Sequence, residues 1–178
     1  MKKLLFILIL GSLTNNDIHA QVTNTSYVTQ YGEKVLQYSI VVPADIPETW
    51  KLFTTDKGLK RWIAPVAKID MRIGGSIRTN YDESKTIDDT TSIKLDIINY
   101  IEYEMLTLKV NLNNSFPQQA KNEDKNLQEI IRFVKAGDNR TKIISTMVGW
   151  GQGTHWDKAY SFFEKGNKWT FTEMLKLF

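Results

Sequence analysis

The hydrophobic period of the chain changes from that of strands to that of a helix near residue 150, and this change constrains the fold more than any other feature. Between Ala67 and Val148, the apolar side chains of successive short runs alternate with polar ones, which predicts half-buried strands. Turn residues such as Ala136-Gly137-Asp138-Asn139 separate these runs. From Thr154 to Phe178 apolar residues recur at helical spacing, although Gly166-Asn167 is expected to interrupt the helix. The pattern predicts an α+β fold, in which an antiparallel sheet of about six to seven strands precedes a long C-terminal helix.

The preceding segment predicts one strand and two short helices. Lys34–Val42 alternates between apolar and polar residues, as a half-buried strand does. Asp45 is suited to cap a helix that ends near Thr54, and a second short helix is expected at Asp56–Trp62. Residues 21–33 are polar and rich in Thr and Asn, so we expect a flexible lead-in before a single domain at residues 34–178.

Residues 1–20 are typical of a signal peptide. Lys2 and Lys3 precede an apolar run from Leu4 to Leu13, which is too short to span a bilayer as a helix. Cleavage is expected after Ala20, which predicts a secreted or periplasmic protein without a stable membrane span. The alternatives are an uncleaved anchor and a buried strand.

Composition argues against several classes of site. The formal net charge of +3 comes with no clustered run of Lys and Arg, so nucleic acid is not an expected partner. The chain has no cysteine, which excludes disulfides and thiolate metal sites. After residue 20 the one histidine is His155, so we expect neither a metal site nor a cofactor.

Four stretches together resemble a known family. They are Val42 to Trp50, Leu52 to Pro65, Ile69 to Gly75, and Gly149 to Asn167. In order and spacing they are similar to the homologues of the activator of heat-shock protein 90 ATPase, within the START-like (SRPBCC) superfamily. The resemblance covers roughly Lys34 to Phe178. It implies a helix-grip fold, in which the sheet wraps around the C-terminal helix and encloses a deep hydrophobic cavity. Superfamily members bind lipids, sterols and plant hormones, and some are cyclases or dehydratases, so the fold does not settle the function. The export signal departs from the typical member and does not suit a cytosolic chaperone partner.

Aromatic residues are the candidates for lining such a cavity. We expect contacts to a ligand from Trp62, Tyr81, Trp150, Trp156, Tyr160 and Phe163. Aromatic side chains serve equally well as packed core, so this role is open for each of them. The main hypothesis is an exported protein that binds a small hydrophobic or amphipathic molecule.

The candidates for catalysis are few. His155 and Asp157 lie at the start of the long helix, where Asp157 also favours the helix N-terminus electrostatically. Glu104 is in phase with Leu106 and Leu108, so it is expected to face inward unless it reaches water at the strand end. Two alternatives therefore stand beside binding: a cyclase-, dehydratase- or hydrolase-like enzyme that uses the same cavity, and a co-chaperone-like module with a protein partner that the sequence does not identify.

Overall fold

The computed structural model describes residues 21–178, so the predicted signal peptide at residues 1–20 lies outside the described residues. The strands are β1 Thr23–Asn24, β2 Tyr27–Val28, β3 Lys34–Val42, β4 Val66–Ile69, β5 Ser76–Asn80, β6 Ile93–Ile101, β7 Met105–Val110, β8 Gln128–Lys135 and β9 Thr141–Val148. The helices are α1 Ile46–Thr54, α2 Asp56–Leu59, α3 Gln118–Glu123 and α4 Thr154–Leu175. The order of elements agrees with the order that the hydrophobic period predicts.

The strands form one antiparallel sheet in the order β1-β3-β9-β8-β7-β6-β5-β4, and β2 also pairs with β3. Consecutive strands from β4 to β9 are antiparallel neighbours, as the alternating runs predict. The pairings of β1 with β3 and of β3 with β9 are between non-consecutive strands, and the second of them joins the two ends of the domain. Seven of the strands have four or more residues, so the predicted α+β class and strand number are confirmed.

Two segments differ from their predicted conformation. Thr23–Asn24 and Tyr27–Val28, within the expected flexible lead-in, pair with the free edge of β3, because that edge offers unpaired backbone groups. The alternation of Ala67, Ile69, Met71 and Ile73 predicts a strand as far as Ile73, but β4 ends at Ile69 and Ile73 is 65% exposed. A tight turn replaces it, in which Gly75 donates its backbone N–H to the carbonyl of Arg72 at 2.8 Å.

The first two helices are both capped, the first by Asp45 as the sequence predicts, and they pack closely together. The Asp45 side chain accepts a hydrogen bond from the backbone N–H of Glu48 at 2.8 Å. Thr55 caps α2 in the same way, through the backbone N–H of Gly58 at 2.9 Å. A Cβ atom at Gly58 would lie 2.0 Å from the carbonyl oxygen of Lys51, so only glycine permits this approach.

The C-terminal helix α4 packs against the sheet and completes the core. Its residues Phe171 and Met174 are buried in the same cluster as Leu36 and Ile40 of β3. The helix is continuous through Gly166-Asn167, so the predicted interruption is wrong. Burial of Phe171 and Met174 in the core stabilises the helix beyond this point, and a single glycine costs only about 1 kcal/mol of helix propensity.

Candidate functional site

A cavity of about 330 Å³ lies between the sheet and α4. Its wall draws on α1, the segment after α2, strands β5 to β9 and the second half of α4. Most of the lining is apolar, with Phe53, Ile77, Leu108, Ile131 and Phe171 among the buried contributors. The volume is at the small end of the range for ligand pockets, about 300–1,000 Å³, and the lining has their usual character.

A small polar group interrupts this apolar wall. Glu129 of β8 and Ser145 of β9 both line the cavity, and the Ser145 hydroxyl donates a hydrogen bond to Glu129 Oε1 at 2.5 Å. Burial raises the pKa of the Glu129 carboxyl, although the hydrogen bond from Ser145 opposes part of that shift. Glu129 is surrounded by protein atoms, but part of its surface remains accessible because the side chain lines the cavity.

Three partly exposed aromatic residues in the wall mark the mouth of the cavity. Tyr81, Phe162 and Trp169 are each about half exposed, at 48%, 52% and 50%. The rings of Tyr81 and Trp169 meet with their centroids 6.0 Å apart. Desolvation on the side that packs against α4 raises the pKa of the Tyr81 phenol. An apolar molecule entering the cavity would therefore meet aromatic surface first.

The structure divides the six predicted aromatic residues into two groups. Trp62, Tyr81 and Phe163 line the cavity, as expected of ligand contacts. Trp150 and Tyr160 do not line it; their rings pack against each other with centroids 5.0 Å apart, and Trp150 also packs against Phe163.

Trp156 is buried outside the cavity wall, and its indole N–H donates to Glu123 Oε2 at 2.9 Å. A direct ligand contact from Trp150, Trp156 or Tyr160 has no support from these positions.

The predicted catalytic candidates lie away from the cavity. Glu104 is exposed in the turn between β6 and β7, so the expectation that it faces inward is wrong; β7 begins only at Met105. Asp157 pairs with Lys34 at 2.6 Å on the surface. His155 pairs with Glu123 at 2.7 Å, which brings the start of α4 to the end of α3.

Glu123 is the most perturbed carboxyl outside the cavity. Hydrogen bonds from His155, then Trp156 and then Gln119, lower its pKa to about 2. Three donors converge on one carboxylate, which is an arrangement that holds α3 against α4. The cluster has no opening to the cavity, so its evident role is structural.

Glu129 and Ser145 are the site residues that the sequence analysis missed. The signal was present, because Glu129 is in phase with the buried residues Ile131 and Phe133 of β8 and with Leu127, which directly precedes the strand. A charged residue in an apolar phase is the kind of local inconsistency that often marks a functional site.

A second, larger depression of about 580 Å³ lies on the outer side of α1 and α2. Lys51, Lys57 and Arg61 contribute to its wall, together with the C-terminal residue Phe178. It is open and charged, so it suits an apolar ligand less well than the enclosed cavity does.

The described part of the chain contains no cluster of three or more His, Asp or Glu side chains suited to a metal ion. None of the helices in residues 21–178 is both long and apolar enough to cross a membrane.

Comparisons with known proteins agree on the fold. The structure is similar to CalU16 from Micromonospora echinospora, with a TM-score of 0.58 and 14% identity over 86% of this chain and 80% of that one. It is similar to Aha1 from Colwellia psychrerythraea, with a TM-score of 0.51 and 16% identity over 75% and 92% of the two chains. An HSP90 activator from Plasmodium falciparum matches with a TM-score of 0.53 and 13% identity over 74% and 88%.

At these identities the structural likeness establishes the helix-grip fold and no activity. A search of curated proteins found no match. The family model for activator of Hsp90 ATPase homolog 1-like proteins matches residues 43–178, which is most of the chain. The chain therefore belongs to the activator of Hsp90 ATPase homolog 1-like family.

Proposed function

We propose that this protein is an exported binding protein that holds a small hydrophobic or amphipathic ligand in the cavity between the sheet and α4. The observation that carries the proposal is the partly enclosed, mainly apolar volume of about 330 Å³ with aromatic residues at its mouth. Well-packed interiors leave few voids larger than a water molecule, so an open volume of this size needs a reason.

The positions of the three predicted catalytic residues give no support to catalysis by them in the cavity. His155, Asp157 and Glu104 were the candidates for acid–base chemistry, and none of them lines the cavity. A general acid or base must lie within hydrogen-bond reach of the proton that it transfers. Export is proposed from the sequence of residues 1–20, whose charged start and short apolar run are typical of a signal peptide.

The test is mass spectrometry of protein purified from its natural compartment, measured under native conditions and after organic extraction. We expect one small molecule at a stoichiometric amount, and a mature N-terminus at Gln21. The matched control is the Gly166→Leu variant, whose new side chain would project into the cavity, and which should be empty. A protein that is empty as isolated and that binds no apolar probe would refute the binding proposal.

A further inference from the structure

The polar pair in the cavity wall bears on the chemistry of the ligand, and the inference below rests on the proposed binding function. Glu129 is the one carboxyl among the lining residues, and Tyr81 is the only other ionisable side chain among them. The strand neighbours of Glu129 are apolar, namely Leu108 on β7 and Met147 on β9. The carboxyl therefore lies in an environment that does little to stabilise a negative charge.

The hydrogen-bond partners of Glu129 leave one of its oxygens available. Ser145 donates to Oε1. Within residues 21–178, no hydrogen bond reaches Oε2, and no Lys, Arg or His forms an ion pair with Glu129. Oε2 also keeps accessible surface, because the only fully buried side-chain oxygen or nitrogen without a hydrogen-bond partner in residues 21–178 is Thr49 Oγ1. This oxygen is therefore open to whatever occupies the cavity.

An unpaired carboxylate in apolar surroundings costs several kcal/mol, and such a group takes up a proton instead. The pKa of Glu129 shifts in the direction that favours this protonated form, since desolvation raises the pKa and no cationic side chain lowers it. With Oε1 accepting from Ser145, a proton taken up by this carboxyl would sit on Oε2, from which it can be donated to the cavity.

We propose that Glu129 and Ser145 form the polar end of the ligand site, and that Glu129 as a neutral acid donates a hydrogen bond to a carbonyl, ether or hydroxyl oxygen of an otherwise apolar, uncharged ligand. Carboxylate ligands are disfavoured, because two carboxyl groups in contact in an apolar site do not both ionise. Amines are disfavoured because an ion pair there requires both partners to be desolvated.

The experiment is isothermal titration of the protein with four probes of about ten non-hydrogen atoms each, a size chosen from the cavity volume at about 30 Å³ per water-sized unit. They are decane, nonan-2-one, nonylamine and octanoic acid. We expect nonan-2-one to bind about two- to tenfold more tightly than decane, the worth of one hydrogen bond. Nonylamine and octanoate should bind more weakly than the ketone at neutral pH.

Two variants separate the hydrogen bond from the shape of the site. Glu129→Gln keeps an N–H donor and should keep the preference for the ketone over decane, whereas Glu129→Leu should lose it and bind both probes alike. Glu104→Gln, a change on the exposed turn, is the matched control and should bind as the original protein does. Raising the pH should weaken the ketone preference in the original protein and leave it unchanged in Glu129→Gln, because Glu129 is the group that titrates.

The outcomes distinguish this inference from the proposed function. Equal affinity of the original protein for decane and nonan-2-one would overturn the role of Glu129 and leave the binding function in place. If the protein prefers nonylamine and Glu129→Gln loses that preference, Glu129 binds the amine as a carboxylate in an ion pair, and its proposed role as a neutral donor is wrong. The absence of binding by all four probes would overturn both proposals.

Discussion

Replacing Gly166 of α4 separates the stability of the fold from the openness of the cavity. Gly166 lies within the helix and lines the cavity, and a Cβ atom built there meets no other heavy atom within 4 Å. Glycine within a helix costs about 0.5–1 kcal/mol relative to alanine, because it loses more backbone entropy on folding. No crowding opposes a larger residue at this position.

The expected effect of Gly166→Ala follows from these facts. The free energy of unfolding should rise by about 0.5–1 kcal/mol, which for a chain of this length is about 2–4 °C in Tm per kcal/mol. Gly166→Leu should be at least as stable as the original protein, since leucine is nearly as good a helix former as alanine and its side chain enters open apolar space. The same side chain occupies part of the 330 Å³ and should weaken binding of an apolar probe at least about tenfold.

The assay combines urea denaturation with titration of the same probe into each variant. Thr172→Leu is the control, since it adds a leucine to an exposed position of the same helix that does not line the cavity. A loss of stability in Gly166→Ala would refute the argument that glycine is present only for space. Unchanged binding in Gly166→Leu would show that the cavity between the sheet and α4 is not the ligand site.

Three further predictions concern charge and close packing. The pKa of Glu129 in the folded protein is raised above its ordinary 4.5, so the folded protein keeps a proton there that the unfolded chain has lost. The free energy of unfolding should therefore fall as the pH rises above about 4.5. Denaturation measured at a series of pH values should show a smaller slope in Glu129→Gln. The opposite sign applies to Glu123, whose pKa is lowered to about 2, so its contribution to stability is present above pH 4.5 and is lost as the pH falls toward 2. Glu123→Gln should therefore flatten the acid limb of the same curve. An unchanged acid limb would contradict a stabilising role for the hydrogen bonds to Glu123. Gly58→Ala places a methyl group 2.0 Å from the Lys51 carbonyl oxygen, so it should force α1 and α2 apart. The free energy of unfolding, measured by urea denaturation, should fall by about 1–3 kcal/mol. An unchanged midpoint would mean that the helices shift without cost.

The fold was predictable from the sequence because its signals are periodic and local. Alternation located the strands from β5 to β9, and the predicted cap at Asp45 follows from residue type and position. The errors fall where tertiary structure overrides local pattern. Gly166 suggests a broken helix in isolation, yet packing against the sheet keeps α4 continuous.

The candidate site was less predictable, because the sequence does not show where volume is left empty. Trp62 and Phe163 line the cavity whereas Trp150 and Tyr160 pack against one another beside it, and no property of an aromatic residue distinguishes these outcomes. Glu104 and Glu129 each fall in phase with apolar residues of a strand. Glu104 is exposed to solvent in a turn, whereas Glu129 lies on β8 between β7 and β9, in the centre of the sheet.

Three features of the cavity are each unfavourable to the stability of the folded chain, and they converge on one place. Gly166 weakens a helix, Glu129 is a desolvated carboxyl without a cationic partner, and the aromatic residues at the mouth, Phe162 and Trp169 among them, leave apolar surface exposed. Each is easily replaced by a more stable residue, such as alanine for Gly166 or leucine for Glu129. Since locally unfavourable choices in a folded protein concentrate at functional sites, their coincidence around a single apolar volume argues that the cavity is used.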